Sequence, residues 1–96
     1  MTTISVVAII TAKPGTEDFV ERALLNLIAP SQNDKGYIQY DLHRDMDKPN
    51  VFVFYENWES KELLDLHLQS THLSNYQKQV EGMIESWDLK LMKKIS

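Results

Sequence analysis

Cysteine is absent from the chain. This excludes disulfides, thiolate nucleophiles, iron–sulfur clusters and cysteine-bound zinc, and is compatible with a reducing compartment. Glycine and proline are scarce, at three each. Gly15, Gly36 and Gly82 stand apart, so no glycine-rich phosphate loop is present, and there is no Gly/Ser linker, internal repeat or low-complexity tract. No G-x-S-x-G elbow, H-E-x-x-H pair or EF-hand spacing occurs. Hydride transfer with a nucleotide cofactor, phosphoryl transfer and serine hydrolysis all lose support, and no bound metal is expected. No apolar run approaches the roughly 20 residues that span a bilayer. Met1-Thr2-Thr3-Ile4 lacks the basic start of a signal peptide, so the expected location is cytoplasmic. Positive charge is also in deficit: the net charge is -4 and the pI near 5.2. Nucleic acid wants a basic face, and a membrane surface wants a basic amphipathic helix. Neither partner is expected.

Apolar residues make up 43% of 96 positions, enough for one domain, 1–96, with a small core. Chains this short often gain stability by oligomerising. Ile4 to Ala12 is almost wholly apolar and rich in Val and Ile, which predicts a buried strand. Lys13-Pro14-Gly15 stops it, and Thr16 is the expected cap of a helix whose stripe is Phe19, Val20, Ala23, Leu24, Leu27 and Ile28. Pro30 is expected to end that helix, and Ser31 to Gly36 reads as a polar loop. Tyr37 to Arg44 alternates as a strand, Asp45 to Asn50 as a turn, and Val51 to Trp58 as a third strand. Ser60 can cap the next helix, with Leu63, Leu64, His67 and Leu68 inward. Ser70-Thr71 should break it. A further stripe follows at Leu73, Tyr76, Val80, Met83 and Ile84, and Trp87 to Ile95 alternates as the last strand.

The order is β-α-β-β-α-β with a divided second helix, which is the ferredoxin-like split pattern of an α+β fold with an antiparallel four-stranded sheet. Its first and third strands lie at the centre, and those two are apolar on both faces here. Helices cover only one face, and the other would leave an apolar patch in water. Packing two sheets face to face in a homodimer removes it.

Chemistry concentrates where the third strand runs into a helix, at Tyr55-Glu56-Asn57-Trp58-Glu59-Ser60, followed by His67 and His72. Imidazole is the side chain best suited to moving protons near neutral pH. His67 occupies a core-facing helical slot, where a polar group must find a partner or line a cavity. The bland alternative is a core histidine bonded to a backbone carbonyl. His72 lies five residues on, a poor spacing on a straight helix, and reads either as an exposed histidine at a helix start or, if the chain bends at Ser70-Thr71, as a second ring on one cavity. Glu56 shares a face with Phe52, Phe54 and Trp58. Such a carboxylate has a raised pKa or a cationic partner, Arg44 or Lys90 being the candidates. In function it orients a histidine or takes a proton. Trp58 could stack on a flat ligand or simply fill the core, and Tyr40 could give its hydroxyl to a ligand or only to the backbone. His43, on the polar row of the second strand, reads as solvent-facing.

These residues resemble the antibiotic biosynthesis monooxygenase family, specifically its small quinol-monooxygenase-like members. The marks are Ala12-Lys13-Pro14-Gly15, Gly36-Tyr37-Ile38-Gln39-Tyr40-Asp41-Leu42, Phe54-Tyr55-Glu56-Asn57-Trp58-Glu59-Ser60, His67, and Ser70-Thr71-His72. The resemblance implies a dimeric α/β barrel with a pocket between sheet and helices in each subunit. It also implies oxygenation of a quinol or polycyclic aromatic by dioxygen without flavin, haem or metal, hence no cofactor. Carried over by motif, His67, His72 and Glu56 become the catalytic candidates, and Trp58, Tyr40 and Phe54 the substrate-binding ones. Haem-degrading relatives carry an asparagine near the position of Ala8, so the haem reading loses ground. The alternative is a non-oxidative isomerase or a ligand-binding dimer of the same fold. A wide aromatic-lined cavity favours oxygenation, and a small polar one favours the alternative.

Overall fold

A computed structural model describes residues 3–96, so the first two residues of the Met1-Thr2-Thr3-Ile4 stretch lie outside the described part. Eight elements follow one another: β1 (Ile4–Ala12), α1 (Glu17–Leu25), α2 (Ile28–Gln32), β2 (Tyr37–Arg44), β3 (Val51–Trp58), α3 (Lys61–Leu68), α4 (Thr71–Gln79) and β4 (Ile84–Met92). The sheet order is β2-β3-β1-β4, with every neighbouring pair antiparallel. This is the expected ferredoxin-like α+β arrangement, and the two strands greasy on both sides do occupy its centre.

Alternation along the strands divides the sheet into two unlike faces. Val6, Ala8, Ile10 and Ala12 of β1 are buried on the helical side, with Phe52, Phe54, Glu56 and Trp58 of β3 beside them. On the reverse face Val7, Ile9, Val51 and Val53 are only half-buried, and Tyr55 is exposed. The inner row is completed by Tyr40, which pairs with Glu56 across β2 and β3. Arg44 ties α1 to the end of the sheet. It bonds to Glu21 at 3.0 Å, approaches Asp18 at 3.8 Å, and lies 5.1 Å over the Phe52 ring.

Three local expectations need correction. Pro30 does not end the first helix: that helix stops at Leu25, and Pro30 sits in the first turn of α2. An amide there has no intrahelical acceptor anyway, so proline is tolerated. Thr16 precedes α1 but does not cap it through its side chain. Its hydroxyl donates instead to the Lys13 carbonyl at 2.7 Å. The last helical stripe ends at Gln79, and Ile84 already belongs to β4, pairing with Ala12. Gly82, at φ +81°, supplies the left-handed turn between them.

The break at Ser70-Thr71 is a second capped start. Ser60 accepts from the Leu63 amide at 3.2 Å and Ser70 from the Leu73 amide at 3.4 Å. Each hydroxyl satisfies an amide that the first turn leaves free. The result is two short helices, and the bend between them turns His67 and His72 toward a common point. No helix of the described residues is long and apolar enough to cross a membrane.

Candidate active site

A cavity of about 460 Å³ opens between the inner sheet face and the helices. Its floor is Ala8, Ile10, Phe54 and Leu89, and its helical wall carries Leu24, Leu27, Leu68, Leu73 and Val80. Tyr40, Glu56 and His67 bring polar groups to this apolar surface, and Trp87, 69% exposed, stands at the rim. A hollow of this size with few convergent polar groups has the form of a small-molecule site.

β3 positions Glu56. Its side chain is buried and accepts from Trp58 Nε1–H at 2.9 Å. Two residues apart on one strand, the two share a face, so the indole is the nearest donor. No cation reaches the carboxylate among the described residues: Arg44 is held by Glu21 and Asp18, and Lys90 by Asp88. Burial therefore dominates and pushes the Glu56 pKa up to about 7, against the opposing pull of the Trp58 hydrogen bond.

His67 comes from the inward stripe of α3. It is 2% exposed, stacked on the Trp58 ring at 4.3 Å and 32°, and met edge-on by Tyr40 at 5.4 Å. Its Nδ1 lies 2.8 Å from Asp34 Oδ2. Burial holds its pKa below the ordinary histidine value, while Asp34 pulls it back up. His72 Nε2 lies 2.9 Å from the same Asp34 oxygen, and the two imidazole centroids are 5.9 Å apart. Tyr40 packs on Phe54 at 4.5 Å, and burial, reinforced by the Glu56 carboxylate, raises its pKa. The Tyr40 hydroxyl is thus a neutral donor. Beside it lies the fully buried Ser31 hydroxyl, which closes no well-formed hydrogen bond.

The structure thus gathers Glu56, Tyr40, Phe54 and His67 on one cavity. It places Trp58 and His72 elsewhere. Trp58 is fully buried behind His67 and forms no part of the cavity wall, so of its two expected roles it takes core filling, and it supports the imidazole. His72 faces a separate cleft of about 130 Å³ that it shares with Asn26, Asn75 and Gln79. His43 is exposed, as expected. The residue that both histidines contact is Asp34, inside the polar stretch from Ser31 to Gly36. Glu56, expected to orient a histidine or to take a proton, bonds to Trp58 and so orients neither ring. Gly36, two residues after Asp34, is the one signal that could have pointed there. Asp34, His67 and His72 also place three donor atoms within 4.8 Å of one another, a set that can hold a metal ion.

A family model described as antibiotic biosynthesis monooxygenase matches residues 3–79. The chain belongs to that family. It is 30% identical over 60 residues to YcnE of Bacillus subtilis, covering 62% of this chain and 62% of YcnE. It is 26% identical over 85 residues to the uncharacterized protein sll1783 of Synechocystis, covering 88% of this chain and 58% of sll1783. The chain thus spans about three-fifths of the length of these relatives. The crystal structure of PA3566 from Pseudomonas aeruginosa superposes with a TM-score of 0.95 at 29% identity, covering 100% of this chain and 97% of that one.

Proposed function

We propose that this family member is a cofactor-independent monooxygenase that oxidises a quinol or related hydroxylated aromatic with dioxygen. The observation carrying this reading is the cavity. It is large and mostly apolar, with polar groups confined to Tyr40, Glu56 and His67 on one side. A flat aromatic fits such a space, and its hydroxyls would meet the polar wall. Family membership supports the reaction class.

The chemistry needs proton handling more than redox machinery. His67, held neutral by burial, takes the phenolic proton. The electron-rich phenolate reduces dioxygen and a ring C–O bond forms. The ring carbon then loses its proton and the O–O bond breaks. One oxygen stays as a carbonyl and the other leaves as water, the substrate having supplied four electrons. Glu56, with a pKa near 7, can accept the carbon-bound proton or return one to the departing oxygen. Phe54 and the leucines hold the ring and keep water out. We further propose that two copies pair through the reverse sheet face, where Val7, Ile9 and Val53 are half-buried and Tyr55 exposed.

The test is oxygen consumption by metal-free, flavin-free protein against a panel of dihydroxynaphthalenes and anthrones. Uptake that depends on His67 is expected, with His67→Ala losing about 100-fold or more in kcat. A panel giving no uptake above the His67→Ala background would remove the proposal.

A further inference from the structure

We infer that Asp34 is the positioning residue of this site, fixing His67 in the tautomer that turns a lone pair, not a hydrogen, toward the cavity. The tautomer follows from the geometry alone. Its catalytic meaning rests on the function proposed above.

A carboxylate only accepts hydrogen bonds, so each ring nitrogen facing Asp34 Oδ2 carries a hydrogen. His67 is therefore protonated at Nδ1 and His72 at Nε2, at 2.8 and 2.9 Å from one shared oxygen. In neutral His67 this leaves Nε2 as the acceptor. His67 lines the cavity, so Nε2 is the nitrogen that can take a proton from a ligand there. The ring cannot easily turn over to exchange its nitrogens. Its side chain is 1% exposed, with Trp58 on its face and Tyr40 at its edge. In the opposite tautomer Nε2–H would offer the cavity a donor, and the base would be lost.

The fold explains why Asp34 can do this. Its amide donates to the Ser31 carbonyl at 3.1 Å, and its carbonyl accepts from the Tyr37 amide at 3.2 Å, which fixes the turn between α2 and β2. Gly36, at φ +89°, lets α3 approach: a Cβ there would lie 2.6 Å from Leu63 Cβ. The Gly36 carbonyl also accepts from the Glu59 amide at 2.9 Å. The turn and α3 are thereby locked together, and Asp34 reaches His67. His72, at the start of α4, holds the same oxygen from the other side and so fixes the carboxylate rotamer. When His67 gains a proton at Nε2, its bond to Asp34 becomes charge-assisted, which stabilises the imidazolium.

Long-range 1H–15N correlation spectra read the tautomer directly and need no substrate. The three histidines are assigned with His43→Gln and His72→Gln. Wild-type His67 is expected as Nδ1–H. Asp34→Ala should move it largely to Nε2–H with an unchanged overall fold, and Asp34→Glu should restore the first form. In oxygen uptake, Asp34→Ala should lose about 100-fold in kcat with KM within about threefold, and Asp34→Glu should regain part of it. Finding wild-type His67 as Nε2–H, or the same tautomer in Asp34→Ala, overturns the inference, and the first of these needs no variant to fold. An altered tautomer with undiminished kcat overturns the catalytic half. If no protein takes up oxygen, the oxidative reading falls while the spectra still decide the role of Asp34.

Discussion

Replacing Glu56 by Gln isolates the energetic cost of this site. Glutamine keeps an oxygen to accept from Trp58 Nε1–H and nearly the same volume, but it does not ionise. The folded-state pKa of Glu56 is raised from 4.5 to about 7. Between those values the folded protein holds a proton that the unfolded chain has released, so the stability contributed by Glu56 falls as pH rises. One proton corresponds to about 1.4 kcal/mol per pH unit, so the loss approaches roughly 3 kcal/mol by pH 8. At pH 4.5 or below the carboxyl is neutral in the fold and the two proteins should be nearly equal. Above pH 7 Glu56→Gln should be the more stable by up to that amount. His67 acts in the opposite direction: its pKa is depressed, so its contribution is lost as pH falls below its ordinary value of 6.5. That part is common to both proteins and cancels in the difference. Urea unfolding midpoints measured from pH 4.5 to 8.5 give the comparison. A stability gap that stays constant across this range would refute the assignment of Glu56 as a buried, desolvated carboxylate.

Gly36→Ala should destabilise the protein by about 2–5 kcal/mol, since it combines positive-φ strain with a Cβ driven against Leu63; thermal unfolding checks this. Ser60→Ala should cost about 1 kcal/mol by removing the cap that accepts from the Leu63 amide, read from urea midpoints. For the proposed pairing, wild-type protein should sediment as two copies and Ile9→Lys as one; a wild-type chain that sediments singly would defeat the use of the reverse face.

Periodicity carried the fold because faces are what periodicity encodes. Val6, Ala8 and Ile10 against Val7 and Ile9 marked a central strand, and Phe52, Phe54 and Glu56 showed that one carboxylate had to lie in an apolar row. The Ser70-Thr71 break was legible because serine before a new apolar stripe is a cap. Pro30 and Thr16 misled, since proline is indifferent to the first turn of a helix and a threonine hydroxyl can serve a nearby carbonyl equally well. The site was legible only in part, for a different reason. A strand face or helix stripe says which side chains point inward, but not which of them reach the void. Trp58 and His67 both point inward, and only the packing of one ring on the other decides that His67 meets the cavity while Trp58 backs it. Asp34 was invisible because its role depends on a contact between a turn and two helices. No period along the chain relates position 34 to 67 and 72.

Burial acts in opposite directions on the two titratable groups of the wall, and the outcome is coherent. It raises the pKa of Glu56 and lowers that of His67. Both shifts favour the neutral form of the group they act on. A protonated carboxyl and an unprotonated imidazole then face the same hollow, one able to give a proton and the other to take it, with neither carrying a charge into an apolar space. A cation beside Glu56 would have ionised it, and a second anion beside His67 would have charged the ring. Arg44 is drawn to α1 by Asp18 and Glu21, and Lys90 is paired with Asp88 on the edge strand. Asp34 bonds to the ring at Nδ1 and leaves Nε2 free of that contact. Ion pairs at the periphery thus leave Glu56 with no cation beside it, and in the function proposed above that absence favours transfer of a phenolic proton to His67.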